Sequence, residues 1–268
     1  MKSTISFHRP ESLHEAVCLK REKGHLAAYI SGGTFINSSD HPQEYEHLIY
    51  LENIVSNTLS QRKDKFEIGA NCTFQQLIDF PGCPQILAES ALLISSRNIR
   101  NRATLGGHLA SRLSRGALLP ALLALNTTVH GVEQELSLEA YLNAENDLLL
   151  TQLTLPLHSI SRAAGLSFYR SSTIRSCSLI VAALSSVDEA CFTKCRIGIG
   201  GTVTRAMLLP QTAGAVNGLS CRDDMALNRR INNSVQSEPE LQGLDSFHSH
   251  MLAELIFQAV KKSVEVSP

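Results

Sequence analysis

The chain has no excess of charge of either sign. Its 268 residues include 24 lysines and arginines against 25 aspartates and glutamates, which leaves a formal net charge of -1. A general nucleic-acid binder needs a basic face, and a polybasic membrane anchor or charged disordered tail needs a marked bias, so these classes are excluded. Hydrophobic residues make up 43% of the chain and charged residues 18%. This composition predicts a globular protein of one large domain or two smaller ones.

No segment is long and apolar enough to be predicted as a transmembrane helix. The longest stretch free of acidic and basic residues, 116–132, contains Pro120 and several polar side chains. The first ten residues hold no apolar core of an export signal, so a cytoplasmic protein without membrane association is expected. The seven cysteines are odd in number and scattered, which is typical of free thiols in a reducing compartment.

The sequence also lacks the short motifs of several enzyme classes. No G-x-S-x-G elbow, Walker A loop or H-E-x-x-H pair is present, so hydrolase and ATPase functions have no support. Cys191 and Cys195 lack the second cysteine pair of a zinc or iron–sulfur site, and His248 and His250 lack a third ligand. No metal site and no catalytic acid–base pair is predicted.

Strand-like and helix-like runs alternate along the chain, which indicates an α+β protein. Ser12 with Glu15 forms a capping box that opens a helix to about Lys23, and Thr73 with Gln76 caps a second, short helix. Strands are predicted at 26–30, 47–51, 66–70, 127–132, 148–155, 166–170 and 196–200, and further helices at 117–125, 178–184, 222–232 and 246–264. The stretch 156–161 suits a linker, so two units divided near residue 160 are expected.

Two glycine pairs are the main candidates for chemistry. The first glycine bend, residues 31–34 (Ser-Gly-Gly-Thr), directly follows a predicted strand. The second glycine segment, residues 104–108 (Thr-Leu-Gly-Gly-His), is predicted as a loop before an apolar helix. A diglycine turn permits positive φ and aligns backbone N–H groups toward an anion such as a diphosphate. On spacing alone, each pair is more often a plain turn than a binding site.

A third glycine cluster, residues 198–201, fails the dinucleotide-binding template because Val203 occupies the position of the last glycine. It is therefore predicted as a turn at a strand end. Basic residues surround the second glycine segment: Arg97, Arg100, Arg102, Arg112 and Arg115. They form either a solvated face or a positive potential near an anionic cofactor or partner subunit, and the sequence leaves both alternatives open.

Several segments together resemble the FAD-binding subunit of the molybdenum hydroxylases, the family of the xanthine dehydrogenase and carbon monoxide dehydrogenase flavoproteins. The similarity runs through residues 7–13, 31–34, 68–73, 99–107 and 118–125, with weaker similarity at 148–150, 168–170 and 197–201. The run Ile-Arg-Asn-Arg-Ala-Thr-Leu-Gly-Gly at 99–107 is its most specific part. The chain is most similar to a short branch that includes selenate reductase or xanthine dehydrogenase flavin subunits.

The resemblance implies an α+β fold. An FAD-binding domain of two α/β subdomains, like that of vanillyl-alcohol oxidase (PCMH-like), would occupy residues 1–160, with subdomains of about 1–57 and 58–160. A smaller C-terminal α+β domain, like that of the carbon monoxide dehydrogenase flavoprotein, would occupy residues 161–268.

The resemblance also implies a set of FAD-binding residues. The first glycine bend and its neighbours would hold the diphosphate, which implicates Ser31, Gly32, Gly33, Thr34, Phe35 and Ile36. The second segment would hold the rest of the cofactor through Ala103, Thr104, Gly107, His108 and Ser111. Leu149 and Leu150 match a strand beside the flavin, and Arg170 falls where the family often has a lysine near the isoalloxazine.

Two positions depart from the family pattern. The family usually has Asn where this chain has His108, and Asp where it has Ala117. A hydrogen bond to a charged group contributes about 1.5–3 kcal/mol, so losing two would weaken the affinity for FAD. His108 can still donate a hydrogen bond, and the nearby arginines can substitute for the missing contacts.

The function that the resemblance implies is electron transfer in an oxidoreductase complex. The partners would be a 2Fe-2S iron–sulfur subunit and a molybdopterin-binding subunit that carries the substrate chemistry, with NAD(H) as a candidate acceptor. A flavin-free scaffold subunit is the alternative, because of His108 and Ala117. A stand-alone oxidase of the vanillyl-alcohol type is disfavoured, because the chain is short for a substrate domain and has no His or Cys suited to covalent flavin attachment beside either glycine pair.

Overall fold

The computed structural model describes residues 5–38, 45–62, 64–144, 147–156, 164–170 and 178–265. The chain forms two compact units. The first unit comprises Met1–Gly82, Ser96–Ser111 and Thr128–Thr154, and the second comprises Cys83–Ser95, Arg112–Thr127 and Leu155–Pro268. Two segments that precede residue 155 in the chain therefore belong to the second unit.

Strands and helices alternate through the first unit, and the longest elements lie in the second. The strands are β1 (Ser6–His8), β2 (Ala27–Ile30), β3 (His47–Tyr50), β4 (Leu59–Gln61), β5 (Lys65–Gly69), β6 (Thr128–Gly131), β7 (Glu135–Ser137), β8 (Leu150–Pro156), β9 (Ala164–Tyr169), β10 (Leu179–Asp188), β11 (Cys191–Gly201) and β12 (Met207–Leu208). The helices are α1 (Leu13–Lys23), α2 (Phe74–Asp79), α3 (Gln85–Leu92), α4 (Arg97–Arg100), α5 (Leu105–Ala110), α6 (Leu119–Ala124), α7 (Leu138–Asn143), α8 (Pro210–Val216), α9 (Asp224–Ser237) and α10 (Ser246–Glu265).

A parallel three-stranded sheet opens the first unit, in the order β1-β3-β2. Helix α1 contacts β2 and β3 and buries Ala16 and Val17. Ser12 caps this helix as predicted, because its side-chain oxygen accepts a hydrogen bond from the backbone N–H of Glu15 at 3.1 Å. Strand β2 ends directly before the first glycine bend. The bend therefore lies at the carboxyl edge of parallel strands, the edge at which open α/β sheets bind ligands.

A five-stranded sheet, in the order β4-β5-β8-β6-β7, forms the rest of the first unit together with α2, α4, α5 and α7. Helix α2 begins with the predicted capping box. The Thr73 oxygen accepts from the N–H of Gln76 at 3.2 Å, and the Gln76 side chain accepts from the N–H of Thr73 at 2.8 Å. The chain before α2 is fixed to the chain before α5, since the N–H of Phe74 donates to the carbonyl of Ala103 at 3.1 Å.

The second unit is built on an antiparallel sheet in the order β12-β11-β10-β9. Helix α10 contacts β9 and β10, and α8 and α9 complete its buried core. Helix α6 contacts β10 and β11. Glycine is required where α6 meets the sheet, because a Cβ at Gly198 would overlap the backbone carbonyl of Pro120.

Two predictions of local structure were wrong in this unit. Residues 178–184, predicted as a helix, belong mostly to strand β10, which pairs with β9 and β11 along its length. The glycine cluster 198–201 was predicted as a turn, but it forms the last part of strand β11. The predicted linker at 156–161 lies largely outside the described residues. Among the described residues, no helix has the length and apolar character needed to cross a membrane.

Candidate cofactor-binding site

The first glycine bend carries backbone N–H groups that the fold leaves open. Gly33 has φ +70°, a conformation that favours glycine. Within the described part of the chain, the N–H groups of Ser31, Gly32, Gly33 and Thr34 donate no hydrogen bond. The carbonyl of Gly33 accepts from the N–H of Asn37 at 3.1 Å, which closes the bend. Such an array suits an anionic ligand, because open N–H groups hold phosphate oxygens without a charged side chain.

The second glycine segment differs from the prediction. Gly106 and Gly107 lie inside helix α5 and not in a loop. The fold uses four of the five N–H groups here: Leu105 donates to the Cys72 carbonyl at 2.9 Å, Gly106 to the Ala70 carbonyl at 2.8 Å, Gly107 to the Thr104 hydroxyl at 3.2 Å, and His108 to the Thr104 carbonyl at 2.9 Å. Within the described residues, only the N–H of Thr104 stays open in this segment, so its main chain offers a ligand one donor and its other contacts must come from side chains.

The two glycine regions nevertheless converge within the first unit. The backbone of Gly32 lies against the chain just before the second glycine segment, where a Cβ at position 32 would overlap the carbonyl oxygen of Arg102. A cavity of about 540 Å³ opens beside this contact, and Ser31, Gly32 and Thr104 line it. Its size lies within the roughly 300–1,000 Å³ range of small-molecule sites. Open N–H groups and an adjacent polar cavity fit the diphosphate part of a dinucleotide.

The remaining lining of this cavity is polar. Arg97 and Arg102 supply positive charge, and Glu52 and Asp79 supply negative charge. Asn71, which sequence reasoning passed over, is buried and lines the cavity as well. Its side-chain amide donates to the carbonyls of Leu51 at 3.0 Å and Val55 at 2.9 Å, so it anchors the chain after β3. A signal for Asn71 existed, since it lies in one of the segments that carry the family resemblance.

His108 is a neutral side chain in this fold. Its ring packs edge-on against Phe74, with the ring centroids 5.1 Å apart. Burial lowers the pKa of His108 to about 4, because the charged imidazolium loses its hydration. At neutral pH the ring therefore supplies one N–H donor and one acceptor nitrogen, and no positive charge for a phosphate.

The other predicted residues of the first unit lie around these two regions. Phe35 and Ile36 are half-buried directly after the first glycine bend, and Ala103 is buried before α5. The Ser111 hydroxyl donates to the carbonyl of His108 at 2.7 Å. Leu149 and Leu150 are buried at the start of β8, and Leu149 lines a second cavity of about 340 Å³ with Lys20 and Asp147.

Two of the residues discussed above belong to the second unit. Arg170 follows β9, is exposed, and donates from its guanidinium to the carbonyl of Leu93 at 2.8 Å. Ala117, the position of the expected family Asp, is buried in the chain before α6. The structure of the first unit by itself therefore brings together the first glycine bend and Thr104 at one cavity and places His108 in the helix that follows Thr104, while Arg170 and Ala117 are described only in their own unit.

Comparisons with known proteins identify the family of the chain. Residues 3–158 match the model of the family described as the FAD binding domain in molybdopterin dehydrogenase. The chain is 27% identical over 259 residues to the Escherichia coli K12 protein YgfM, and the match covers 93% of each chain. Because the family match covers more than half of its length, the chain belongs to this family of FAD-binding domains.

Solved structures share the fold over almost the full length. A chain of the carbon monoxide dehydrogenase of Hydrogenophaga pseudoflava matches with a TM-score of 0.83 and 18% identity, over 98% of both chains. A chain of the Oligotropha carboxidovorans enzyme gives 0.84 and 20% over 100% of both, and one of quinoline 2-oxidoreductase from Pseudomonas putida 86 gives 0.82 and 19% over 99% of both. The predicted α+β fold is thereby confirmed. The protein is an FAD-binding oxidoreductase subunit of the molybdenum hydroxylase type.

Proposed function

We propose that the chain binds FAD with its diphosphate on the first glycine bend and passes electrons within a multi-subunit molybdenum hydroxylase. The observation that carries this proposal is the run of open N–H groups from Ser31 to Thr34, beside a polar cavity that also reaches Thr104. Bound FAD supplies both hydride and one-electron transfer, and so connects two-electron carriers with one-electron centres.

The protein residues bind, orient and shield the cofactor. The N–H groups of the first glycine bend donate to the diphosphate, and the hydroxyl of Thr104 and the neutral ring of His108 add contacts from the second segment. Leu149 and Leu150 supply an apolar surface for the flavin. The assignment of Arg170 as a neighbour of the isoalloxazine stays a prediction from the family resemblance.

The partner subunits are part of this proposal and are inferred from the family. An iron–sulfur subunit with a 2Fe-2S cluster would exchange electrons with this chain, and a molybdopterin-binding subunit would carry the substrate reaction. The Hydrogenophaga pseudoflava neighbour is a carbon monoxide dehydrogenase that lacks the Mo-pyranopterin moiety of its molybdenum cofactor, which supports a molybdenum partner. NAD(H) as acceptor, a cytoplasmic location and a domain boundary near residue 160 remain predictions.

The test is reconstitution of the purified chain with FAD, followed by its absorption spectrum after removal of free flavin. We expect a yellow protein that NADH or the reduced iron–sulfur partner bleaches, and that co-purifies with that partner. A chain that stays colourless in excess FAD but still joins the complex would be the flavin-free scaffold, and the electron-transfer proposal would then be rejected.

A further inference from the structure

Two arginines of the first unit line the cavity of about 540 Å³ beside the first glycine bend, which we call the main cavity. Within the described part of the chain, the guanidinium groups of Arg97 and Arg102 form no ion pair and no hydrogen bond. Arg100, which lies between them, is engaged differently, since its Nε donates to the side chain of Gln75 at 3.1 Å. Two exposed arginines of the cavity lining therefore have guanidinium donors that no described residue accepts.

The second cavity of the same unit shows the contrast. Lys20 and Arg21 line it, and both are neutralised, Lys20 by Asp147 at 3.2 Å and Arg21 by Glu133. The main cavity also contains the carboxylates of Glu52 and Asp79, but neither pairs with an arginine of the described residues, and Asp79 accepts a hydrogen bond from the Gln75 amide at 2.8 Å. Among the cavities described, arginines without an ion pair therefore line only the cavity that borders the first glycine bend.

The main chain supplies donors to this cavity but no net charge. In the second glycine segment the N–H groups of Leu105, Gly106, Gly107 and His108 donate within the protein, and the N–H of Thr104 has no acceptor among the described residues. The open N–H groups of the first glycine bend likewise provide hydrogen bonds but no net charge. Each phosphate of a dinucleotide carries a negative charge, so an opposing cation adds a charge-assisted contact that the amides alone lack.

We propose that Arg97 and Arg102 bind the diphosphate of FAD together with the first glycine bend, an inference that rests on the proposed FAD function. The backbone contact between Gly32 and Arg102 fixes the root of the Arg102 side chain next to the bend. Arg97 is the first residue of helix α4, which ends two residues before Arg102. The two guanidinium groups therefore act as the charged half of a site whose other half is the backbone of residues 31–34.

The experiment titrates the apo chain with FAD and, separately, with riboflavin, which has the same ring but no phosphate. Arg97→Gln and Arg102→Gln remove the charge and keep a polar, though shorter, side chain. We expect each to weaken FAD about three- to tenfold, and the double variant more, since these contacts are charge-assisted but made by exposed arginines. Riboflavin affinity stays unchanged. Raising the salt concentration weakens FAD binding to the natural protein more than to the double variant.

Three further variants test whether the effect comes from charge at this cavity. Arg62→Gln is the matched control, because Arg62 is an exposed arginine of the same unit that pairs with Glu67 at 3.1 Å and lies outside the cavity. It should leave FAD affinity unchanged. Glu52→Gln and Asp79→Asn remove the opposing charges from the cavity, so each should tighten FAD binding.

The outcomes separate the two proposals. If the natural protein binds neither flavin, the FAD function is rejected and this inference with it. If the natural protein binds FAD but the double variant binds it equally well at low salt, the arginines do not contact the diphosphate and the inference alone is overturned. The inference is also overturned if the double variant loses riboflavin as strongly as FAD, because the loss then does not depend on phosphate.

Discussion

The backbone of Gly32 lies so close to the carbonyl group of Arg102 that a Cβ at position 32 would overlap the carbonyl oxygen. The contact joins a bend that follows a parallel strand to the segment that precedes helix α5, 70 residues further along the chain. The contact explains why position 32 needs a glycine although its φ is not positive, because a side chain there would overlap the facing backbone. Gly33 is needed for a different reason, which is its positive φ.

Gly32→Ala is therefore expected to destabilise the first unit. The added methyl group must push two backbone segments apart, and overpacking of this kind costs about 1–3 kcal/mol. The midpoint of urea unfolding measures the effect, and FAD affinity should fall with it. Gly214→Ala is the matched control, because Gly214 lies in helix α8 with no atom near its missing Cβ. An alanine there should be neutral or stabilise by up to about 1 kcal/mol. Equal effects of the two substitutions would contradict the close contact.

Asn71→Asp tests whether the side-chain amide of Asn71 stabilises the chain after β3. The buried amide of Asn71 donates to two carbonyl oxygens, of Leu51 and Val55, and a carboxylate of the same shape can only repel them. We expect a loss of about 1–3 kcal/mol in the free energy of unfolding, measured in urea at pH 7. Asn57→Asp changes an exposed residue of the same cavity and should cost less than about 0.5 kcal/mol. Similar costs at both positions would show that the Asn71 donors are not needed.

His108 should make the stability of the protein depend on pH. Burial lowers the pKa of His108 from its ordinary value of 6.5 to about 4, so the folded state binds this proton less readily than the unfolded state. The contribution is fully present above pH 6.5 and is lost as the pH falls toward 4, on the order of 3 kcal/mol in total. His108→Asn removes this contribution. Unfolding midpoints between pH 4 and 7.5 should therefore fall less steeply in this variant than in the natural protein.

The exposed histidine His250 supplies the control for this pH series. His250→Asn makes the same change of residue type at an exposed position, and its unfolding midpoints should fall with pH as steeply as those of the natural protein. If His108→Asn and the natural protein show the same slope with pH, His108 is not desolvated as described.

Local hydrogen-bonding signals in the sequence predicted much of the fold correctly. Thr73 and Gln76 form both bonds of the predicted capping box, and Ser12 caps α1. These signals are reliable because they act within one turn of helix and do not depend on tertiary packing. Strands β2, β3 and β5 were predicted correctly for a related reason, since turn residues bound them.

Strand β10 was missed because it is buried along most of its length. Residues 179–184 are all buried, so the sequence shows a continuous apolar run in place of the alternation that marks a half-exposed strand. A short run of this kind does not distinguish a strand from a buried helix. Pairing with β9 and β11, which is a tertiary property, decides the outcome.

Glycine was the other source of error. A diglycine predicts a turn, but Gly106 and Gly107 lie in helix α5. A Cβ at Gly106 would meet the Cβ and carbonyl oxygen of Ala70 at 2.9 Å, so this glycine serves close packing. Likewise, the sequence could not show which N–H groups remain open, because that depends on pairing between residues 70–74 and 103–106. The sequence therefore singled out both glycine regions as candidates, but it could not show which of their N–H groups are open to a ligand.

The measurement that tests the central claim most directly is the dissociation constant of FAD for the natural protein, Gly33→Ala and Gly33→Glu. Both substitutions impose the same backbone strain at φ +70°, and only glutamate adds a negative charge beside the open N–H groups. The account predicts micromolar or tighter binding by the natural protein, a modest loss for alanine, and at least a further tenfold loss for glutamate, as expected for a carboxylate facing a diphosphate. Equal affinities of the alanine and glutamate variants would place the diphosphate away from the first glycine bend and contradict the account.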